Sequence, residues 1–196
     1  MRVGLASGNR HKLRELLRLL PGWELEALDP TGMPPETGET FYANARAKAR
    51  FARGRAEPDV WVLGEDSGLE VQGLGGRPGI RSARYAGPNA ADEENVARLL
   101  EELQGTGGDG RRARYVSELV LLSPGQEEAR GTGTLEGAIA DQPRGSEGFG
   151  YDPVFVPEGE HRTVAELGDA WKAEHSHRAR AAAALRIAVG SGAVEE

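Results

Sequence analysis

Val3-Gly4-Leu5-Ala6-Ser7-Gly8-Asn9-Arg10-His11-Lys12-Leu13, followed by Leu16, Leu17 and Leu20, is the stretch that decides the fold class. Residues 3–6 form a short apolar run that stops at Ser7-Gly8-Asn9, as a buried strand entering a turn does. Leu13, Leu16, Leu17 and Leu20 recur at helical spacing until Pro21-Gly22 stops the helix. Trp23, Leu25 and Ala27 then alternate as a strand. A β-α-β start of this kind calls for a sheet with helices packed on it.

Beyond this unit, residues 29–39 are rich in Pro, Gly and Thr and read as a loop, and Thr40 is placed to cap a helix over residues 41–53. Residues 60–63 predict a second buried strand, ending at Gly64-Glu65-Asp66-Ser67-Gly68, with a glycine- and arginine-rich loop running on to residue 87. Residues 91–103 are an amphipathic helix carrying Val96, Leu99, Leu100 and Leu103, and residues 105–110 are a flexible connector. Residues 114–122 and 129–135 predict two antiparallel strands joined around Pro124-Gly125. A loop over 141–153 leads into a strand at 154–156, and Ser176 caps a final helix reaching about residue 189. The hairpin beside the β-α-β unit implies a mixed sheet. No linker divides residues 1–196 into independent domains.

With 196 residues, 38% of them hydrophobic and 28% charged, the chain is long enough to bury a core without staples. It has no cysteine, which excludes disulfides, zinc-thiolate sites and thiol nucleophiles, and four histidines leave little room for an all-histidine metal site. A net charge of −7 argues against a nucleic-acid polymer as partner. No apolar run approaches the roughly 20 residues of a membrane span, and the start lacks the apolar segment of a secretory signal. The expectation is a cytoplasmic protein without a membrane partner. Lysine occurs only at Lys12, Lys48 and Lys172, against 24 basic residues in all, so each lysine is a place where a compact point charge stands instead of arginine's fork.

Five stretches carry candidate chemistry. Ser7 to Lys12 joins a strand end to a helix start: glycine permits a tight backbone, helix amides point outward and Lys12 adds charge, which suits phosphate. The competing reading is an ordinary strand-to-helix turn. On the helix over 41–53, Phe41, Ala45, Ala49 and Ala52 form the apolar stripe, and Lys48 falls within it with Asn44 beside it. Either that lysine snorkels, or it reaches into an anionic site while Asn44 holds a neighbouring loop. Glu65-Asp66, joined by Glu36 or Glu39, offers the hard oxygens that Mg²⁺ recruits, whereas an acidic pair alone reads as a solvated turn. Gly148-Phe149-Gly150-Tyr151-Asp152 lets backbone and ring approach a planar ligand, or is a tight turn with an aromatic plug. His177 and Arg178, with Lys172 nearby in sequence, stand at a helix start and either donate to ligand carbonyls or cap a surface helix.

Taken in order, SGNRHKLRE, ETGETFYANARAKA, EDSGLEV, GGRPGIRSARYAG, GFGYDPVF and SHRARAAAL resemble the inosine triphosphate pyrophosphatase family, from Ser7 to Leu185. The resemblance implies an elongated two-lobed α/β fold with a long central mixed sheet flanked by helices and a nucleotide cleft between the lobes. It implies a homodimer that hydrolyses ITP, dITP and XTP to the monophosphate and pyrophosphate with Mg²⁺. Carried over by position, Ser7, Gly8, Asn9, Arg10, His11 and Lys12 hold phosphates, with Lys48 adding electrostatic stabilisation. Asp66 is general base and metal ligand, with Glu36 and Glu65 as further metal carboxylates. Ser67 contacts substrate; Phe149, Gly150, Tyr151 and Asp152 line the base and sugar pocket; Lys172, His177 and Arg178 complete base recognition. Glu65 departs from the family's common aspartate, which makes Asp66 the firmer ligand. Two rivals are a pyrophosphatase of pyrimidine or modified nucleotides and a non-catalytic nucleotide sensor.

Overall fold

The computed structural model describes residues 1–33 and 35–192. The elements run β1 (Arg2–Ala6), α1 (Arg10–Leu19), β2 (Glu24–Ala27), α2 (Phe41–Arg53), β3 (Trp61–Val71), α3 (Asp92–Glu102), β4 (Arg112–Leu122), β5 (Glu128–Ile139), β6 (Phe155–Pro157), α4 (Val164–His175) and α5 (His177–Gly192). The strands form a six-stranded sheet in the order β2-β1-β3-β4-β5-β6. β1 pairs in parallel with β2 and β3, and β5 pairs antiparallel with β6, so the sheet is mixed and the α/β class holds. Among the described residues no helix is long and apolar enough to cross a membrane.

The chain divides into two compact units. The first takes Met1–Asp66, Ser117–Gly133 and the C-terminal segment from His177. Its strands sort neighbouring residues to opposite faces with the period of two that a pleated strand imposes. Leu63, Leu119 and Leu121 join Leu16 of α1, Leu20 at its C-terminal cap, and Ala181, Ala182 and Leu185 of α5 on one face. Val62, Val120 and Leu122 join Ala45, Ala49 and Ala52 of α2 on the other. Thr40 Oγ1 accepts from Ala43 N at 3.0 Å and starts α2 at the residue expected. The alanine stripe lets α2 lie close, and Gly64 makes the closeness possible: a Cβ there would stand 2.0 Å from Ala45 O and 2.7 Å from Ala49 N.

The second unit takes Ser67–Val116 and Thr134–Ser176. Its core gathers Leu69 and Val71 of β3, Val96 and Leu99 of α3, Tyr115 of β4, Ile139 of β5, and Phe155 and Val164.

Three expectations are corrected. β3 does not end before Glu65-Asp66 but continues to Val71, its central residues buried without a break from Val62 to Asp66 and Leu69 and Val71 entering the core of the second unit. Leu17 is 47% exposed, so the buried stripe of α1 is narrower than its leucines suggested. Residues 164–175, which carried no helical expectation, form α4, started by reciprocal bonds of Thr163 N to Glu166 Oε2 at 2.8 Å and Glu166 N to Thr163 Oγ1 at 3.3 Å. The Thr-x-x-Glu signature of that capping box was present in the sequence.

Candidate active site

Because β3 stays extended through Glu65-Asp66, the two carboxylates project to opposite faces of the strand. Asp66 turns toward α2. Its Oδ1 accepts from Lys48 Nζ at 2.8 Å and its Oδ2 from Asn44 Nδ2 at 3.1 Å. Lys48 Nζ also donates to Glu65 O at 3.1 Å and lies 2.5 Å from Glu36 Oε1. Asn44 Oδ1 accepts from Gly38 N at 2.8 Å, tying down the loop that carries Glu36. Asn44 and Lys48 are one helical turn apart, so a single face of α2 delivers both. Lys48 therefore does not snorkel: its ammonium is buried between carboxylates. Burial works to lower the Lys48 pKa, but Asp66 and Glu36 outweigh it and leave it raised. Burial lifts Asp66 above the ordinary carboxylate value, and Lys48 and Lys12 offset this only in part.

Glu65 turns the other way, toward α1 and α5. Its Oε1 accepts from Arg178 Nε at 3.3 Å and Nη2 at 3.0 Å, and its Oε2 lies 2.6 Å from Lys12 Nζ. Arg178 Nη1 also donates to Glu15. Burial would raise the Glu65 pKa, but Lys12 and Arg178 overcome it and hold the group well below the usual range. The expectation that Glu65 shares a metal with Asp66 is thus not met: the alternation of the strand separates them. Arg178, expected on the base, is 1% exposed and engaged by two carboxylates. His177 is buried at the first position of α5, where Gly133 admits the helix: a Cβ there would stand 2.1 Å from His177 O.

At the start of α1, Asn9 Oδ1 accepts from His11 N at 2.9 Å and Lys12 N at 3.2 Å, and Ser7 Oγ accepts from Asn9 N at 3.2 Å. Two of the amides expected to face phosphate are therefore taken by the cap. Gly8, Arg10 and His11 are exposed, and His11 Nδ1 lies 2.8 Å from Arg14 Nη2.

In the second unit, Asp152 organises the Phe149–Asp152 turn. Its Oδ2 accepts from Phe149 N at 2.9 Å and from Lys172 Nζ at 2.7 Å, and its Oδ1 accepts from Tyr115 OH at 3.2 Å. Lys172 Nζ stands 4.7 Å from the centroid of the half-buried Phe149 ring. Gly148 has φ +83°, and a Cβ there would meet Asp152 Oδ2 at 2.2 Å. Gly150 N donates to Asp92 Oδ2 at 2.6 Å. Tyr151 does not offer its ring to a ligand: it is buried in the core, with its hydroxyl donating to Ser82 O at 2.8 Å. Ser67, next to Asp66 on β3, is half-buried.

All three lysines of the chain thus pair with buried carboxylates: Lys12 with Glu65, Lys48 with Asp66, Lys172 with Asp152. The sequence reading missed Glu15 and Tyr115. Glu15 is three residues on from Lys12, on the same side of α1, which was its only visible signal.

Among the described residues no three histidine, aspartate or glutamate side chains gather as a ready metal cage. Mg²⁺ does not require one, because it is held by one or two carboxylates together with water and substrate phosphates. Asp66 and Glu36 fit that description: two hard-oxygen groups reach the same ammonium at 2.8 and 2.5 Å, and together outnumber its charge. Glu39 is exposed and makes no part of this set.

The chain is 46% identical over 190 residues to the dITP/XTP pyrophosphatase of Bdellovibrio bacteriovorus, covering 92% of this chain and 94% of that protein. It is 46% identical over 198 residues to the dITP/XTP pyrophosphatase of Thermus thermophilus, covering 98% and 93%. Its fold matches the Staphylococcus aureus Ham1 protein with a TM-score of 0.86 at 36% identity, over 98% of this chain and all of that one. It also matches a nucleoside-triphosphatase, dITP/XTP pyrophosphatase, from Mycobacterium abscessus, with a TM-score of 0.76 at 41% identity over 94% and 97%. Residues 3–188, which hold every carboxylate and lysine of both clusters, match the Ham1 family, and the chain belongs to it.

Proposed function

We propose that this protein hydrolyses deaminated purine nucleoside triphosphates, ITP, dITP and XTP, to the monophosphate and pyrophosphate, with Mg²⁺ as cofactor. The observation that carries the reading is the Asp66–Lys48–Glu36 cluster, in which Asp66 and Lys48 are buried and Glu36 is half-buried. The nearly full-length likeness to proteins named dITP/XTP pyrophosphatase supports the substrate class.

Asp66 and Glu36 would hold the metal, which when bound supplies positive charge to the phosphate oxygens. The chain's own groups do the rest. Asp66, with its pKa lifted by burial, is a better base than an exposed aspartate and takes the proton of the water attacking the α-phosphorus, so that pyrophosphate leaves. Lys48 and Lys12 turn from their carboxylates to phosphate oxygens and stabilise the charge that develops in transfer. Glu65, gripped by Arg178, holds Lys12 in place until then. In the second unit, Phe149 presents a ring for stacking and Lys172 donates to the purine 6-keto oxygen, a donor that meets the 6-amino group of adenine unfavourably. The family resemblance implies a homodimer, which sizing in solution tests, and the reading places the enzyme in the cytoplasm.

The experiment is pyrophosphate release with Mg²⁺ from ITP, XTP, GTP, ATP, dTTP and UTP at one subsaturating concentration. Release from ITP and XTP with little from the others is expected. Release chiefly from dTTP or UTP moves the protein to pyrimidine nucleotides, and binding without release makes it a sensor.

A further inference from the structure

We propose that Tyr115 is a positioning residue for Lys172, acting through Asp152; the inference rests on the reading that Lys172 meets the purine 6-position. Tyr115 lies on β4, its ring buried and tilted against Phe155 with centroids 4.6 Å apart, so its hydroxyl has a fixed origin. That hydroxyl donates to Asp152 Oδ1 at 3.2 Å. The terminal torsion of an aspartate is soft and two-fold, so a bond to one oxygen is what sets the plane of the carboxylate. Setting Oδ1 also sets Oδ2, and Oδ2 is the acceptor shared by Lys172 Nζ at 2.7 Å and Phe149 N at 2.9 Å.

One hydroxyl therefore fixes both the ammonium and the backbone of the aromatic turn. The main chain of Asp152 also bonds to the start of α4, its carbonyl accepting from Ala165 N at 3.1 Å, but Gly168 at φ +85° breaks the helix before Lys172, so the orientation of the ammonium rests on the carboxylate. Asp152 itself is buried, and its carboxylate accepts three donors from within the second unit. Through these three bonds the geometry assigns it the orientation of Lys172 and Phe149. Tyr115 gave no sign of this in sequence, because it falls among apolar strand residues and reads as core.

The test measures kcat/KM for ITP and for ATP, with melting temperatures, in the native protein, Tyr115→Phe, Lys172→Met and the double variant. Phenylalanine keeps the packed ring and removes only the hydroxyl. Lys172→Met is expected to narrow the ITP-to-ATP preference about tenfold or more, and Tyr115→Phe by roughly three- to tenfold, within the range of one lost buried polar interaction. In the double variant the preference stays within about twofold of Lys172→Met alone, because both changes act on one ammonium. The proposal is overturned if Tyr115→Phe shifts the melting temperature but leaves the preference unchanged, or narrows it by the same factor in both backgrounds. An unchanged preference in Lys172→Met removes the base reading itself, and the proposal with it.

Discussion

Lys48 and Lys172 are both buried ammoniums bound to an aspartate, at 2.8 and 2.7 Å, yet their surroundings differ in kind. Around Lys48 the acceptors are in excess: Asp66, Glu36 and the Glu65 carbonyl meet one cation. Around Asp152 the donors are in excess: Lys172, the Phe149 amide and the Tyr115 hydroxyl share one carboxylate, and an aromatic face covers the ammonium. The same ion pair thus sits in opposite surroundings. Under the proposed function the acceptor-rich cluster would draw a divalent cation and then phosphate, whereas the donor-rich, ring-covered one would suit a neutral planar group bearing a carbonyl.

The sharpest way to break the comparison is to neutralise each aspartate. Asp66→Asn is expected to lower kcat for ITP by about a thousandfold or more, some 4 kcal/mol of barrier, because base and metal-ligand roles end together. Nucleotide binding without Mg²⁺ stays largely intact. Asp152→Asn should cost less in kcat and more in the preference for ITP over ATP. Steady-state kinetics on the two variants decide it, and near-normal turnover in Asp66→Asn removes the general-base role.

The next effect comes from the glycines that admit each cluster. Gly64→Ala places a methyl 2.0 Å from the Ala45 carbonyl, a backbone atom that only a shift of α2 can relieve. The expected cost is about 3 kcal/mol in urea unfolding, with loss of turnover as Asn44 and Lys48 move away from Asp66. Gly148→Ala meets a side-chain oxygen at φ +83°, and an expected cost of about 1–2 kcal/mol follows from strain at that backbone angle. Equal costs would mean that α2 yields more easily than its alanine packing suggests.

The fold class, the span of α2 and its Thr40 cap were legible in sequence because they rest on local periodicity and capping. The charged clusters of the candidate site were legible in outline, since three lysines in an arginine-rich chain stood out and each meets a buried carboxylate. What was not legible depended on where β3 ends. A strand stopping at Gly64 leaves Glu65 and Asp66 free to converge in a turn, whereas a strand running through them forces them apart, and only pairing distant in sequence determines which occurs. Tyr151 was misplaced for a similar reason: GFGYD shows that a turn is present but not which of its two rings enters the core.

That separation also predicts opposite responses to acid in the metal-free protein. The Glu65 pKa is depressed in the fold, so its contribution to stability is present above its unfolded value near 4.5 and is lost as pH falls toward the folded one. The Asp66 pKa is raised, so its contribution is full below its unfolded value near 3.8 and is lost as pH rises through the folded value. Glu65→Gln should therefore be destabilised at about pH 7, with the gap to the native protein closing toward about pH 3. Asp66→Asn should not lose stability with that pH dependence. Melting temperatures across this range test both, and a gap for Glu65→Gln that does not change with pH would show that Lys12 and Arg178 do not govern its ionisation.

The smallest effect compares two tyrosines that each donate to a carboxylate. Tyr42 OH lies 2.5 Å from Glu128 Oε1, but the side chain of Glu128 is 22% exposed and also accepts from Arg46 Nε at 2.7 Å. Removing that hydroxyl leaves an acceptor that water and Arg46 can still satisfy, so Tyr42→Phe is expected to cost about 0.5 kcal/mol. Tyr115 donates instead to Asp152, whose side chain is 4% exposed. Loss of its hydroxyl leaves a buried oxygen without that donor, at an expected cost of about 1–2 kcal/mol. Urea denaturation resolves a difference of this size if the two variants share one slope. If Tyr42→Phe proves the costlier, the link from α2 to β5 contributes more to seating α2 than its exposure implies. The alanine packing and Gly64 would then not suffice to account for the position of Lys48.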